Sequence, residues 1–314
     1  MGNKNNKKKS VFEPPKFELD IHFKSDSSVF YSYELLDGRL FVCLCGLYFE
    51  VYKLNNLHEA KKDLKFNPGI YTVSSTLVSN GNIVICTYGK DMKVISIEGN
   101  EVKDIQTITA NGPREEFAFE LSNKQLLTVN FYSRGKLFSL IKGLYEEIKT
   151  PKGLFIPIPS KMKEIKENIL IIKEFRNGNN IFLYKLMTDE LKNIKTNSVD
   201  FEILNKNNIM LFNKKNIEIL DIDTFKINFK LAFPNNINIK IGCLYNQRII
   251  IVCTDKGEVI EFQINENKLI EIDRIKVKLQ FECGKQIITK LKNGSLLIID
   301  NCDIYIYKPI LKKK

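Results

Sequence analysis

The sequence predicts an all-β protein, a single seven-bladed β-propeller whose blades are four-stranded and antiparallel. Three observations predict it. A polar turn followed by an apolar run recurs seven times along the 314 residues. Each recurring unit is long enough for four short strands, which is the size of a propeller blade. The last unit lacks one strand, and the N-terminal segment can supply it.

The repeat is defined by its turns, which lie 39 to 47 residues apart. The turns are Asp37-Gly38, Asn80-Gly81, Asn123-Lys124, Glu167-Asn168, Asn207-Asn208, Asn246-Gln247 and Asn293-Gly294. The apolar runs that follow them begin at Leu40, Ile83, Leu126, Ile169, Ile209, Ile249 and Leu296. Short runs rich in β-branched residues and bounded by turn residues are typical of strands buried on both faces.

Further strands flank each run. A third, alternating strand follows it at Leu47–Tyr52, Lys93–Ile97, Lys136–Ile141, Asn180–Tyr184, Asn216–Leu220, Glu258–Phe262 and Asp303–Tyr307. A first strand precedes the turn at Tyr31–Leu36, Thr72–Val78, Phe117–Leu121, Val199–Leu204, Ile239–Leu244 and Gln286–Leu291, with a weaker copy around Met162–Ile165. A fourth, more polar strand closes most units, as at Val102–Ile108 and Leu269–Ile275. The unit at 153–197 is the least regular. Its Pro157–Pro159 segment leaves a ring of six blades as the alternative.

The ends of the chain are predicted to close the ring. The last unit stops after its third strand, while an alternating segment at residues 17–23 precedes the first unit. Pairing these two segments removes two exposed sheet edges. The predicted organisation is therefore a disordered basic tail at 1–16, a propeller at 17–307 and a basic C-terminal tail at 308–314.

This arrangement resembles the WD40-type propeller, in which the N-terminal strand completes the final blade. The turns Lys90-Asp91-Met92-Lys93-Val94 and Thr254-Asp255-Lys256-Gly257-Glu258-Val259 look like that family's connection between second and third strands. The family's Trp-Asp and Gly-His dipeptides are absent, because the chain has no Trp and its two histidines are His22 and His58. The family's His–Asp network therefore cannot be transferred, and other seven-bladed families stay open.

Charge and cysteine content predict the compartment. Of the net charge of +11, residues 1–16 carry +4 and residues 308–314 another +4, which leaves +3 for the 291 residues between them. Basic ends on a nearly neutral body favour tails that meet an anionic surface. The seven cysteines follow no disulfide or zinc spacing, and Cys43 and Cys45 are expected to pack together in the core. With no signal peptide, we expect a cytoplasmic protein, associated with the cytosolic side of a membrane if its tails bind one.

The resemblance implies where the interacting loops lie. In WD40-type propellers, the loops from the fourth strand to the next first strand share the top face with the turns between second and third strands. Loop residues of neighbouring units are predicted to bind protein partners there, making the protein a non-catalytic interaction scaffold: Arg114, Glu115, Glu116, Tyr132, Arg134, Phe175 and Arg176. Arginine and aromatic side chains anchor interfaces well.

The tails suggest a second function, recruitment to an anionic membrane. Both are expected to leave the same blade edge on the bottom face, with Tyr307 beside Phe17. Polybasic clusters are attracted to anionic lipid. Gly2 is a candidate for N-myristoylation, although Asn6 stands where Ser or Thr is usual. The proposed membrane-binding residues are Lys4, Lys7, Lys8, Lys9, Lys312, Lys313 and Lys314.

Catalysis, metal binding and nucleic-acid binding find little support. Neither histidine has an evident nucleophile partner, and no phosphate-binding glycine motif occurs. The sequence predicts no enzyme, cofactor or metal site. A propeller hydrolase using Glu115 and Glu116 is the enzymatic alternative, but loop carboxylates are usually solvated. The basic tails lack the interleaved aromatic residues of a nucleic-acid surface, so nucleic acid is not an expected partner.

Overall fold

The computed structural model describes residues 15–45, 48–55, 58–69, 71–89, 91–109, 114–148, 153–175, 180–194, 198–234, 237–265, 268–279 and 286–310. Within them, 29 β-strands form seven separate antiparallel sheets, so the predicted seven-bladed propeller is confirmed. Six blades have four strands, and blade 3 has a fifth short segment.

Blades 1 to 3 hold β2 to β14. Blade 1 consists of β2 (Val29–Glu34), β3 (Leu40–Leu44), β4 (Phe49–Leu54) and β5 (Ala60–Phe66). Blade 2 consists of β6 (Thr72–Leu77), β7 (Ile83–Thr87), β8 (Asp91–Glu98) and β9 (Glu101–Thr109). Blade 3 consists of β10 (Glu115–Glu120), β11 (Leu126–Asn130), β12 (Arg134–Ile141), β13 (Leu144–Ile148) and β14 (Leu154–Phe155).

Blades 4 to 7 hold the remaining strands. Blade 4 consists of β15 (Pro159–Lys166), β16 (Ile169–Glu174), β17 (Ile181–Lys185) and β18 (Glu190–Asn193). Blade 5 consists of β19 (Ser198–Ile203), β20 (Asn208–Asn213), β21 (Asn216–Asp221) and β22 (Ile227–Ala232). Blade 6 consists of β23 (Ile239–Asn246), β24 (Ile249–Thr254), β25 (Glu258–Asn265) and β26 (Lys268–Lys278). Blade 7 consists of β27 (Ile287–Lys290), β28 (Leu296–Asp300), β29 (Asp303–Ile310) and the N-terminal β1 (Lys16–Lys24).

The second strand of each blade carries the core. The runs predicted at Leu40, Ile83, Leu126, Ile169, Ile249 and Leu296 all begin a strand at that residue, and the run at Ile209 begins one residue earlier. Each is flanked by two strands of its own sheet, and most of its side chains are fully buried. The apolar clusters lie between neighbouring blades, because alternate side chains of a strand face opposite sides of its sheet.

Blade 4 completes the ring without an interruption. The predicted weak strand around Met162–Ile165 extends over eight residues as β15, beginning at Pro159. Ile156 and Ile158 are buried in the approach to this strand. The blade count is therefore seven, and the six-bladed alternative is wrong.

The N-terminal strand closes the ring as predicted. β1 pairs antiparallel with β29, so that Lys16 lies opposite Ile310 and Leu19 opposite Tyr307. Because β29 continues to Ile310, Lys308 lies within a strand, where its Nζ is 3.4 Å from the Glu18 carboxylate. Phe17 packs into the cluster between blades 6 and 7, with its ring 5.1 Å from that of Tyr245.

Candidate interaction face

The antiparallel order of strands fixes two faces of the ring. We define the top face as the side that carries the turns between second and third strands and the loops that lead from one blade to the next. The bottom face carries the turns between first and second strands and those between third and fourth strands. Because every blade has the same strand order, each connection can be assigned to a face from its place in the chain.

Exposed aromatic side chains cluster on one part of the top face. Among the described residues, every Phe and Tyr with a largely exposed side chain lies in a top-face connection of blades 1 to 4. We call this set the aromatic arc: Tyr48, Tyr71, Tyr88, Phe131, Tyr132, Phe155 and Phe175. Four of them are at least 60% exposed, and a group of exposed rings on one face is a feature of interaction surfaces.

Arg114 lies in the centre of the arc and is held in place. Its guanidinium carbon is 4.0 Å from the ring centroid of Tyr88 and 5.2 Å from that of Phe131. Its Nε donates to Glu116 at 2.5 Å, and its carbonyl oxygen accepts a hydrogen bond from the backbone N–H of Phe131. Partial burial favours the neutral form, but the interactions with Glu116 and Tyr88 together outweigh this effect and raise the pKa of Arg114. The arginine is therefore a fixed cation between two rings.

Arg134 reaches the arc from the next connection. Its guanidinium carbon is 5.9 Å from the ring centroid of Phe155, since β14 pairs with the beginning of β12. Gly135 permits this pairing, because a Cβ there would lie 3.1 Å from the Cβ of Leu154. Arg134 itself is exposed.

Glu115 and Glu116 occupy different environments, although both were expected to be solvated loop carboxylates. A β-bulge at the start of β10 pairs Glu115 with Asn130 and makes Glu116 the extra residue. Glu115 is consequently only 1% exposed, whereas the partly buried side chain of Glu116 accepts a hydrogen bond from Arg114. Burial raises the pKa of Glu115 to about 7. The expectation of a solvated pair was wrong, because sequence alone does not locate the bulge.

Three residues of the predicted partner-binding set remain. Tyr132 and Phe175 are 66% and 69% exposed, and the ring of Tyr132 meets that of Phe131 edge-on at 5.5 Å. Arg176 lies outside the described residues.

Sequence reasoning missed five members of the arc, although a signal for them exists. Tyr48, Tyr88 and Phe131 each lie within three residues of a predicted apolar run, where an aromatic residue suggests core packing. Their position just after the second strand places them in the turn instead. Tyr71 and Phe155 directly precede a first strand or its approach, and their exposure follows only from the top-face path of those loops.

A salt-bridge network lies at the blade 1 end of the arc. Asp26 accepts from the Nζ of Lys62 at 2.5 Å and of Lys65 at 2.6 Å, and these two bonds hold its pKa well below the usual range. Lys65 also lies 4.8 Å from the ring centroid of Tyr48. A cation held by a carboxylate therefore lies against the ring of Tyr48, as Arg114 lies against those of Tyr88 and Phe131.

The described part of the chain begins and ends on the bottom face of blade 7, where Lys16 pairs with Ile310. The residues proposed for lipid contact and acylation are outside the described part of the chain: Gly2, Lys4, Lys7, Lys8, Lys9, Lys312, Lys313 and Lys314. The structure thus shows where these tails begin.

Both histidines pair with an aspartate, and the described cysteines differ in their burial. His22 stacks on Tyr305 with its Nε2 2.9 Å from Asp303, and His58 pairs with Asp20. Cys43 is buried as expected, but Cys45 is exposed because β3 ends at Leu44. The expectation that both cysteines pack in the core was therefore wrong. No three metal-ligating side chains come together within the described residues, and no helix there is long and apolar enough to cross a membrane.

Comparison with solved structures identifies the class of fold as the WD40-type β-propeller. The chain superposes on the WD40 β-propeller domain of Doa1 with a TM-score of 0.65 at 10% identity, covering 95% of this chain and 98% of that one. The Neurospora crassa Pan2 WD40 domain gives 0.66 at 10% identity over 96% and 98%. The RRP9 WD40 repeats give 0.66 at 10% identity over 94% and 100%. No protein-family model matches the chain, and no curated protein does. At these identities, the comparison establishes the fold.

Proposed function

We propose that this protein is a non-catalytic interaction scaffold that binds a protein partner through the aromatic arc. The observation that carries the proposal is the confinement of all exposed Phe and Tyr side chains of the described residues to the top face of blades 1 to 4. Loops on a rigid scaffold are common binding elements. A surface of exposed rings around a fixed arginine has the composition of an interface hot spot.

The chemistry of the arc suggests what the partner presents. Tyr88 and Phe131 hold the Arg114 guanidinium, and only its Nε is bonded to a carboxylate among the described residues. A guanidinium has several N–H donors, so Arg114 can also bond a carboxylate of the partner, and the fixed geometry lowers the entropy lost on binding. We therefore expect a partner segment that combines apolar or aromatic side chains with Asp or Glu.

An affinity capture experiment tests this function. Wild-type protein is compared with the combined variant Tyr88→Ala, Arg114→Glu and Arg134→Glu, and with the control Arg248→Glu in a bottom-face turn of blade 6. The top-face variant must keep the thermal unfolding curve of the wild type. We expect a protein that is captured by wild type and control but lost from the top-face variant, followed by at least a tenfold loss of affinity when that partner is purified. Identical capture by all three proteins would overturn the proposal.

A second candidate function, recruitment to an anionic membrane through the basic tails, is favoured by the pairing of Lys16 with Ile310. Both tails begin at this one edge, so their lysines act from neighbouring points on the bottom face. The test is co-sedimentation with vesicles containing phosphatidylserine. Deletion of residues 1–14 and 311–314 spares both β1 and β29. Loss of binding in this variant is expected, and retained binding would exclude the tails as the anchor.

A further inference from the structure

The hairpin that joins β12 to β13 exposes three aliphatic side chains on the bottom face of blade 3. Leu140, Ile141 and Leu144 are 38%, 45% and 45% exposed. Within the hairpin, Ile141 lies opposite Leu144 and Leu140 opposite Tyr145. Lys142 and Gly143 form the two-residue turn, both with positive φ, at 50° and 86°. The result is a narrow tip with apolar side chains on both strands and a lysine at its end.

The hairpin is hydrogen-bonded to blade 2 next to its tip. Gln106 in β9 accepts a hydrogen bond from the backbone N–H of Tyr145 at 2.7 Å and donates one to its carbonyl oxygen at 2.8 Å. The Gln106 side-chain amide thus makes the two bonds that a neighbouring strand would make, and it joins the outer edges of blades 2 and 3. Leu144, next to Tyr145, is therefore displayed from an anchored position.

The composition of the exposed apolar surface differs between the two faces. The top face displays the aromatic arc, whereas the bottom face displays only aliphatic side chains among the described residues. Besides the blade 3 tip, Met187 and Ile227 are exposed at the corresponding connections of blades 4 and 5, 78% and 53% respectively. Protein hot spots are rich in aromatic residues and arginine and poor in leucine. Aliphatic tips with an adjacent lysine are suited to a lipid surface, since the lysine chain can reach the headgroups.

We propose that the blade 3 tip, formed by residues 140–144, inserts into the interfacial region of an anionic lipid bilayer. Charge and position favour a lipid bilayer as the occupant. Lys142 is exposed at the turn, and the two lysine-rich tails begin on the same face at blade 7. Blade 7 lies across the ring from blade 3, so the tails and the tip contact the membrane at separated points. The bottom face then lies against the bilayer and the aromatic arc stays accessible.

This inference deepens the membrane function proposed for the tails, and a fluorescence experiment separates the two. The chain contains no tryptophan, so Ile141→Trp introduces a single reporter at the tip, and Tyr132→Trp introduces a matched reporter on the top face. Unacylated full-length protein is mixed with vesicles of phosphatidylcholine containing about one third phosphatidylserine. We expect a blue shift and quenching by brominated lipid for Ile141→Trp and no change for Tyr132→Trp.

Co-sedimentation with the same vesicles gives an independent readout. The combined variant Leu140→Ser, Ile141→Ser and Leu144→Ser should bind vesicles roughly tenfold more weakly than wild type. Wild-type binding without a blue shift at residue 141 would overturn tip insertion and leave the tails as the anchor. No binding by the wild type would overturn both membrane proposals. A blue shift that depends on protein concentration and not on lipid would show that a second copy covers the tip, which also overturns the proposal.

Discussion

Glu261 lies directly opposite Ile251 in the pairing of β25 with β24, and its carboxylate faces the apolar cluster between blades 6 and 7. The side chain is fully buried and neither oxygen has a hydrogen-bond partner among the described residues. The other six blades have aliphatic residues at this position of the third strand: Val51, Val94, Leu137, Leu183, Ile219 and Ile306. Glu261 is thus a carboxylic acid at a position that the other six blades fill with an aliphatic side chain.

Replacing Glu261 is expected to stabilise the protein and to alter its pH dependence. Burial raises the pKa of Glu261 from 4.5 to about 8. The folded state therefore binds more protons than the unfolded state between these values, and stability falls as the pH rises through this window. Chemical denaturation of Glu261→Gln should show a flatter slope between pH 5 and 8 and, at pH 8, a gain on the order of 2 kcal/mol. Glu218→Gln is the control, because Glu218 pairs with Lys230 at 2.8 Å. An unchanged slope in Glu261→Gln would show that the carboxylate reaches solvent.

Gly242 in β23 lies at a close contact between blades 5 and 6. A Cβ at this position would lie 2.3 Å from Cδ1 of Phe212, a fully buried ring. Gly242→Ala is expected to lower the free energy of unfolding by about 1–3 kcal/mol, since the core must shift to accept the methyl group. Gly153→Ala provides the control, because the nearest atom to its Cβ would be an Arg134 nitrogen at 3.8 Å. Equal unfolding midpoints in denaturant for both variants would contradict this account of the interface.

The fold could be predicted in detail from the sequence because each blade carries the same short-range sequence pattern. Asn-Gly and related turns followed by β-branched runs locate the second strand of each blade, and the closing strand follows from counting strands. The site was harder to predict. The position of the Arg114 guanidinium depends on rings from two blades. The environment of Glu115 depends on a bulge that moves its side chain inward. The burial of Glu261 follows from which face of β25 meets blade 7, and an alternating pattern alone does not show which face is which.

The cysteines should differ sharply in reactivity in the native protein. Burial raises the pKa values of Cys86, Cys243 and Cys253 to about 12, so almost no thiolate is present at pH 8. Cys45 is exposed at the end of β3. Brief alkylation at pH 8 followed by peptide mass spectrometry should modify Cys45 well before these three, which react only after unfolding. Cys45→Ser should remove the label that precedes those of the three buried cysteines. Rapid native labelling of Cys86 would show that blade 2 opens locally.

The closing strand should contribute to global stability through Phe17. Its ring is 9% exposed, and it packs on Tyr245 of blade 6 while its backbone pairs with blade 7. Truncation to alanine leaves a cavity where β1, β29 and β23 meet. Phe17→Ala is therefore expected to lower the free energy of unfolding by about 2–4 kcal/mol. Leu19 lies in the same strand but is 51% exposed, which makes Leu19→Ala the matched control with little expected effect. Equilibrium unfolding followed by far-UV circular dichroism measures both. If Phe17→Ala unfolds at the wild-type denaturant midpoint, β1 closes the ring without supporting it, and the stability of the propeller comes from the other six blades and the three C-terminal strands.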